Sequence, residues 1–81
     1  MKTTRYFDEQ VLRKRPYLRL DWIEATLADP LARTVQPDGR IRLWREVLDD
    51  TNKSYILRVV TLEDGETVHN AFFDRNYREA E

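Results

Sequence analysis

The chain has 81 residues, 41% of them hydrophobic and 36% charged, a formal net charge of -1 and no cysteine. That length holds a single small globular domain, 1–81, with a modest core, while the missing cysteines exclude a disulfide staple and a thiolate metal site. No stretch approaches the roughly 20 apolar residues of a bilayer span, and MKTTRYFDEQ has no apolar run resembling a secretory leader, so a cytoplasmic setting is expected.

Thr3 to Phe7 reads as a short extended piece, and Asp8 as the N-cap of a first helix on which Phe7, Val11 and Leu12 sit close to one face. Pro16 ends it. The residue before a proline is pushed out of helical space, so RKRPY becomes a basic connector. Asp21, with Glu24 three residues on, resembles a capping box, and a second helix is expected from Trp22 to about Ala28, closed by Pro30. Ile23 and Leu27 then share its buried face.

From Ala32 the period changes from 3.6 to 2. Ala32 to Gln36 forms a short strand, Pro37-Asp38-Gly39 a turn, and Arg40 to Leu48 alternates Ile41, Leu43 and Val47 against Arg40, Arg42 and Trp44. Asp49 to Lys53 is a polar loop. Ser54 to Leu62 is apolar on both faces, as a central strand should be. Asp64-Gly65 suits a two-residue type I′ hairpin, which pairs Leu62 with Thr67, Val60 with His69, Arg58 with Ala71 and Ile56 with Phe73. Arg75 to Glu81 is a polar tail, either a last helical turn or frayed. The fold expected is α+β: two N-terminal helices packed on one face of an antiparallel, mostly meander sheet of three to four strands.

That register sets Arg58 diagonal to His69 on one face, within reach of long side chains on neighbouring strands. An imidazole titrating near neutrality beside a guanidinium suits metal-independent RNA cleavage, with His69 as general acid or base and Arg58 stabilising charge at phosphorus. The plainer alternative is a half-buried strand histidine beside an arginine whose stem covers apolar surface. One histidine without cysteine leaves no zinc site, and two glycines cannot build a phosphate-cradling loop, so neither a metal nor a cofactor is expected.

Binding candidates come from charge. Residues 1–20 carry six Lys/Arg against two acids, whereas residues 59–81 carry two Arg against six acids. Arg13, Lys14 and Arg15 form a basic segment suited to a protein partner, and an exposed sheet edge offers a second docking route. Arg42 and Arg45, with Arg40, are phosphate-contact candidates if Trp44, Tyr55, Phe72, Phe73 and Tyr77 offer stacking surfaces to unpaired RNA bases. An inside location for most of those aromatics is the competing expectation.

QPDGRIRLW, followed by LRVVTLEDGETVHNAFFDR, resembles a group of short uncharacterised bacterial proteins over nearly the whole chain. More distantly, two helices before an antiparallel meander, with an arginine near the end of the last strand, is similar to the RelE/ParE-like toxin superfamily and its BrnT-like members. That resemblance implies a toxin-type ribonuclease scaffold with basic and hydroxyl side chains on the sheet, at Arg58, His69, Arg75 and Tyr77. It also implies RNA or an antitoxin-like protein as partner. Such toxins are usually basic, and this chain is slightly acidic. The alternative function is a non-catalytic protein-interaction module.

Overall fold

The computed structural model describes residues 1–77. It is an α+β domain whose four strands, β1 (Ala32–Val35), β2 (Ile41–Leu48), β3 (Ser54–Thr61) and β4 (Val68–Phe73), form one antiparallel sheet in the order β1-β2-β3-β4. The meander follows from three short connections, each closed by its own turn chemistry. In the first, Gly39 has φ 91° and donates its N–H to the Gln36 carbonyl. In the second, Asp49 accepts from the N–H groups of Thr51 and Lys53, and Asn52 takes φ 64°. Glycine and asparagine tolerate this left-handed region at little cost.

Only one regular helix precedes the sheet. The α-helix α2 (Leu20–Ala28) turns Ile23 and Thr26 fully inward, and the buried Thr26 hydroxyl donates to the Trp22 carbonyl at 2.8 Å. Asp21 does not cap it; Arg19 is the N-cap residue, and its guanidinium bonds the Asp21 carboxylate instead. The expected first helix is a π-helical stretch, Phe7–Val11, that runs into a three-residue α-helical turn, α1 (Leu12–Lys14). Nor does Asp8 cap that stretch. Thr4 supplies the acceptors, its hydroxyl taking the Phe7 N–H and its carbonyl the Asp8 N–H, each at 3.1 Å. Pro16 acts as expected: Arg15 leaves helical space, with φ -126° and ψ 67°.

All three helical pieces lie before the sheet in sequence, and the core forms between them and one sheet face. Phe7, Val11, Leu18 and Ile23 cluster there with Ile41, Leu43, Val47, Leu57, Val59, Val68 and Ala71. The other sheet face carries Arg42, Trp44, Glu46, Ile56, Arg58, Val60, Asn70 and Phe72, since residues alternate across a pleated strand. No helix covers it among the described residues.

The β3–β4 register corrects the expected one. Leu62 and Thr67 do approach, the Leu62 N–H donating to the Thr67 carbonyl at 2.9 Å, and Thr61 pairs with Val68. Beyond that point the ladder slips by one residue: Val60 pairs with Asn70, Arg58 with Phe72 and Leu57 with Phe73. His69 is therefore the extra residue of a β-bulge. The turn is not type I′ either, because Asp64 keeps a negative φ while Gly65 alone of the pair is at 70°. Asp64 instead gathers the turn from its side chain, accepting from the Glu66 and Thr67 N–H groups and the Thr67 hydroxyl. These donors hold its carboxyl down at about 2.

The two sheet edges differ. Beside β4, Lys2 to Thr4 add a short parallel contact, with the Val68 N–H donating to the Lys2 carbonyl and the Thr4 N–H to the Val68 carbonyl, each at 2.9 Å. The Asn70 side-chain oxygen also accepts the Ala71 N–H. Among the described residues the β1 edge has no strand beside it, and Val35 there is 60% exposed.

Candidate functional site

Registration places Trp44, Arg58 and Phe72 side by side across β2, β3 and β4. The Arg58 guanidinium carbon lies 5.5 Å from the Trp44 ring centroid and 5.2 Å from that of Phe72. A planar cation between two aromatic faces gains electrostatically from both quadrupoles. Asp74, just past β4, completes the group: it accepts the Trp44 indole N–H at 3.0 Å and sits 3.8 Å from Arg58. The indole bond, with help from the Asn76 N–H and the Arg58 charge, holds the Asp74 carboxyl below its ordinary range.

Two further arginines join this face. Arg15 reaches Phe72 from the β4 side, 5.9 Å from the ring centroid. Arg42, diagonal to Arg58 through the Trp44–Arg58 register, keeps its Nε buried without a hydrogen-bond partner, as does Arg58. Each Nε is shut off from solvent, so an anion would meet these guanidinium groups only through the parts that stay exposed, as 25% of the Arg58 side chain does. The carboxylates of the same face are already engaged, Asp74 as above and Glu46 by the Ser54 hydroxyl.

The other candidates lie elsewhere. His69 is held at the opposite end of β4, its Nδ1 3.0 Å from the Thr4 hydroxyl and its ring stacked on Tyr6 at 4.9 Å. The bulge removes the diagonal relation to Arg58 that the type I′ register required. Arg45 falls on the core side and binds the C-terminal end of α2, donating to the Asp29 carbonyl at 2.6 Å and its carboxylate at 3.2 Å. Arg13 and Lys14 are exposed on α1, and Arg75 is exposed in the turn after β4. Tyr77 packs on Trp44 in a tilted pair, ring centroids 5.5 Å apart, and, with Arg45, lines a shallow cleft of about 760 Å³ that neither Arg58 nor His69 enters. The tail from residue 78 onward lies outside the described residues.

His69 has a use of its own. Burial, and then the charge of Arg40, lowers its pKa below 6.5, so near neutral pH the ring is uncharged and can accept the Thr4 hydroxyl proton. A histidine whose pKa is depressed by folding binds its proton better in the unfolded chain, so stability falls as pH drops from about 6.5 through the folded value. Wild-type protein is expected to lose a few degrees of thermal stability relative to His69→Gln between pH 7 and pH 5. A difference in midpoint that stays constant with pH would remove this role.

Asp74, Thr4 and Tyr6 were not singled out by the sequence. Nothing in a DR dipeptide after a strand says that its carboxylate will hold an indole two strands away. Among the described residues no group of three or more His, Asp or Glu side chains is gathered for a metal, and no helix is long and apolar enough to cross a membrane. No protein-family model, curated protein or solved structure matches the chain. The likeness to RelE/ParE-like toxins therefore rests on the expected order of elements alone, and of its two helices only α2 is regular.

Proposed function

We propose that this chain is a non-catalytic binding domain that takes single-stranded RNA on the uncovered face of its sheet. The observation that carries the reading is the cation–aromatic row itself, Arg58 between the Trp44 and Phe72 rings with Arg42 diagonal to it on the same face. Unpaired bases stack on aromatic or guanidinium planes while arginines meet the phosphates, and that combination tolerates a chain of low net charge if the acids on the face are occupied. A base settling on Phe72 displaces the Arg15 guanidinium, which then meets the adjacent phosphate.

The ribonuclease reading draws less support, because its general base and its charge-stabilising arginine sit in separate neighbourhoods. The two readings part in one experiment. A labelled oligouridine is titrated in 50 mM salt and again in 200 mM, then recovered and sized. Binding should weaken with salt, Phe72→Ala should weaken it about tenfold through lost stacking, and Arg42→Ala should reduce the salt slope by about 1. The RNA should be recovered intact. Absence of binding at 50 mM salt, or indifference to both substitutions, would reject the proposal, and cleavage lost in His69→Ala would restore the enzyme.

A further inference from the structure

A second recess lies at the far end of the helix–sheet layer, between the connector that follows α1, the start of α2 and the β2–β3 loop. Its volume is about 200 Å³, and Tyr17, Trp22, Tyr55 and Phe73 line it, with Asp49 and Asp50 at the rim. Drug-sized ligands occupy pockets of about 300 Å³ and more, so this one is scaled to a compact head group.

Phe73 organises the walls. Tyr55 stacks on it at 4.3 Å and 11°, Tyr17 meets it at 4.9 Å, and Trp22 at 5.9 Å. The rings already attract the protein's own cations. The Arg19 guanidinium carbon is 5.5 Å from the Trp22 ring centroid, and the Lys53 Nζ is 5.3 Å from that of Tyr55. Arg19 also bonds Asp21 and Asp50, so it rests as a lid across carboxylate and indole. A further carboxylate, Asp49, lines the recess beside Asp50. Hydrogen bonds, first from the Thr51 hydroxyl, lower the Asp49 pKa and keep it ionised.

Aromatic faces with carboxylates at the rim select positive charge, and apolar walls favour a cation whose surface is hydrocarbon. We infer that this recess is a binding site for a quaternary or otherwise alkylated ammonium group. A bare ammonium is strongly hydrated and would lose its water on entering. A guanidinium can enter only by displacing Arg19, which offers the same chemistry from within the chain. The alkylated ammonium keeps its charge while presenting methyl groups to the rings. This ligand is opposite in charge to RNA, and the recess shares no residue with the Trp44–Arg58–Phe72 row, so the two inferences stand separately.

The test titrates choline and its neutral carbon isostere, 3,3-dimethylbutan-1-ol, into the intact protein, following the Trp22 indole resonance. Choline should shift that resonance saturably and the isostere should not. Tyr17 is 48% exposed and Asp50 has a side chain 94% exposed, so replacing either leaves the core in place. Tyr17→Ala should weaken choline binding about tenfold and Asp50→Asn about threefold, whereas Arg19→Ala, which removes the competing cation, should tighten it severalfold. Comparing choline with N-acetyl-trimethyllysine methylamide separates a free small-molecule ammonium from a modified peptide as the source, and tighter binding of either supports the assignment. Equal response to choline and its isostere, no response to any of the ammonium probes, or unchanged affinity in Tyr17→Ala would overturn it.

Discussion

Phe7→Ala is expected to lower the unfolding free energy by about 3–5 kcal/mol, a loss set by transfer of the ring and by the cavity left behind. Phe7 is fully buried and lies in the core cluster with Val11, Ile23 and the strand residues of the covered sheet face. A chain of this length has roughly 4–12 kcal/mol of stability in total, from about 0.05–0.15 kcal/mol per residue, so the substitution removes roughly a quarter of it at the least. Local structure makes collapse into the cavity difficult. The Phe7 carbonyl accepts the Leu12 N–H that closes the π-helical turn, and the Phe7 N–H is tied to the Thr4 hydroxyl. Leu12→Ala, at a half-buried position, should cost less than half as much. Urea denaturation of both variants decides it: a Phe7→Ala loss below about 1.5 kcal/mol with an unchanged m-value would mean that the first helical segment is not part of the cooperative core.

Most of the sheet was legible because it obeys simple alternation. Ile41, Leu43 and Val47 point one way and Arg42 and Trp44 the other, and PDG and the Asp49–Lys53 loop mark where the chain reverses. Pro16 and Pro30 bound α2 and its approach for steric reasons that hold in any context. The π-helical stretch was not legible, since FDEQV carries no glycine or proline and its two apolar residues, four apart, serve an α-helix equally well. Thr4 outcompeted Asp8 as the cap because the N-terminal residues are anchored to β4, which brings the threonine hydroxyl to the Phe7 N–H.

The bulge was the costly omission, and here a signal did exist. Val68, Ala71 and Phe73 all face the core, yet 68 is even and the other two are odd, so no unbroken strand can bury all three. Strict alternation from the turn buries Val68, Asn70 and Phe72, which puts an amide inside and leaves Ala71 and Phe73 out. One extra residue resolves the conflict, and His69, whose ring finds Thr4 and Tyr6 at the β4 edge, takes that place. The same residue of slippage moved Phe72 to the face of Arg58 and Trp44. It therefore dissolved the histidine–arginine pair and assembled the cation–aromatic row.

That row predicts the second large effect. Asp74→Ala removes both the acceptor for the Trp44 indole N–H and the carboxylate nearest Arg58, whose side chain is 25% exposed and whose Nε has no partner. Losing one member of a largely buried ion pair strands the other, which costs more than the pair itself contributes. Since Arg58 retains some solvent, about 2–3 kcal/mol is expected, below the range for a fully sealed pair. Asp74→Asn keeps an oxygen for the indole and should cost less. Arg58→Met in the Asp74→Ala background should recover part of the loss, because no cation is then left unpaired between the rings. The acid limb provides an independent check. The Asp74 carboxyl is lowered from 3.8 chiefly by the Trp44 hydrogen bond, so its contribution is full above about pH 4 and is lost as pH falls through the lower folded value. The stability gap between wild type and Asp74→Asn should therefore narrow steadily below pH 4. A gap that persists unchanged to pH 2 would show that the carboxylate charge contributes nothing to the row and that Arg58 is held by its aromatic neighbours alone.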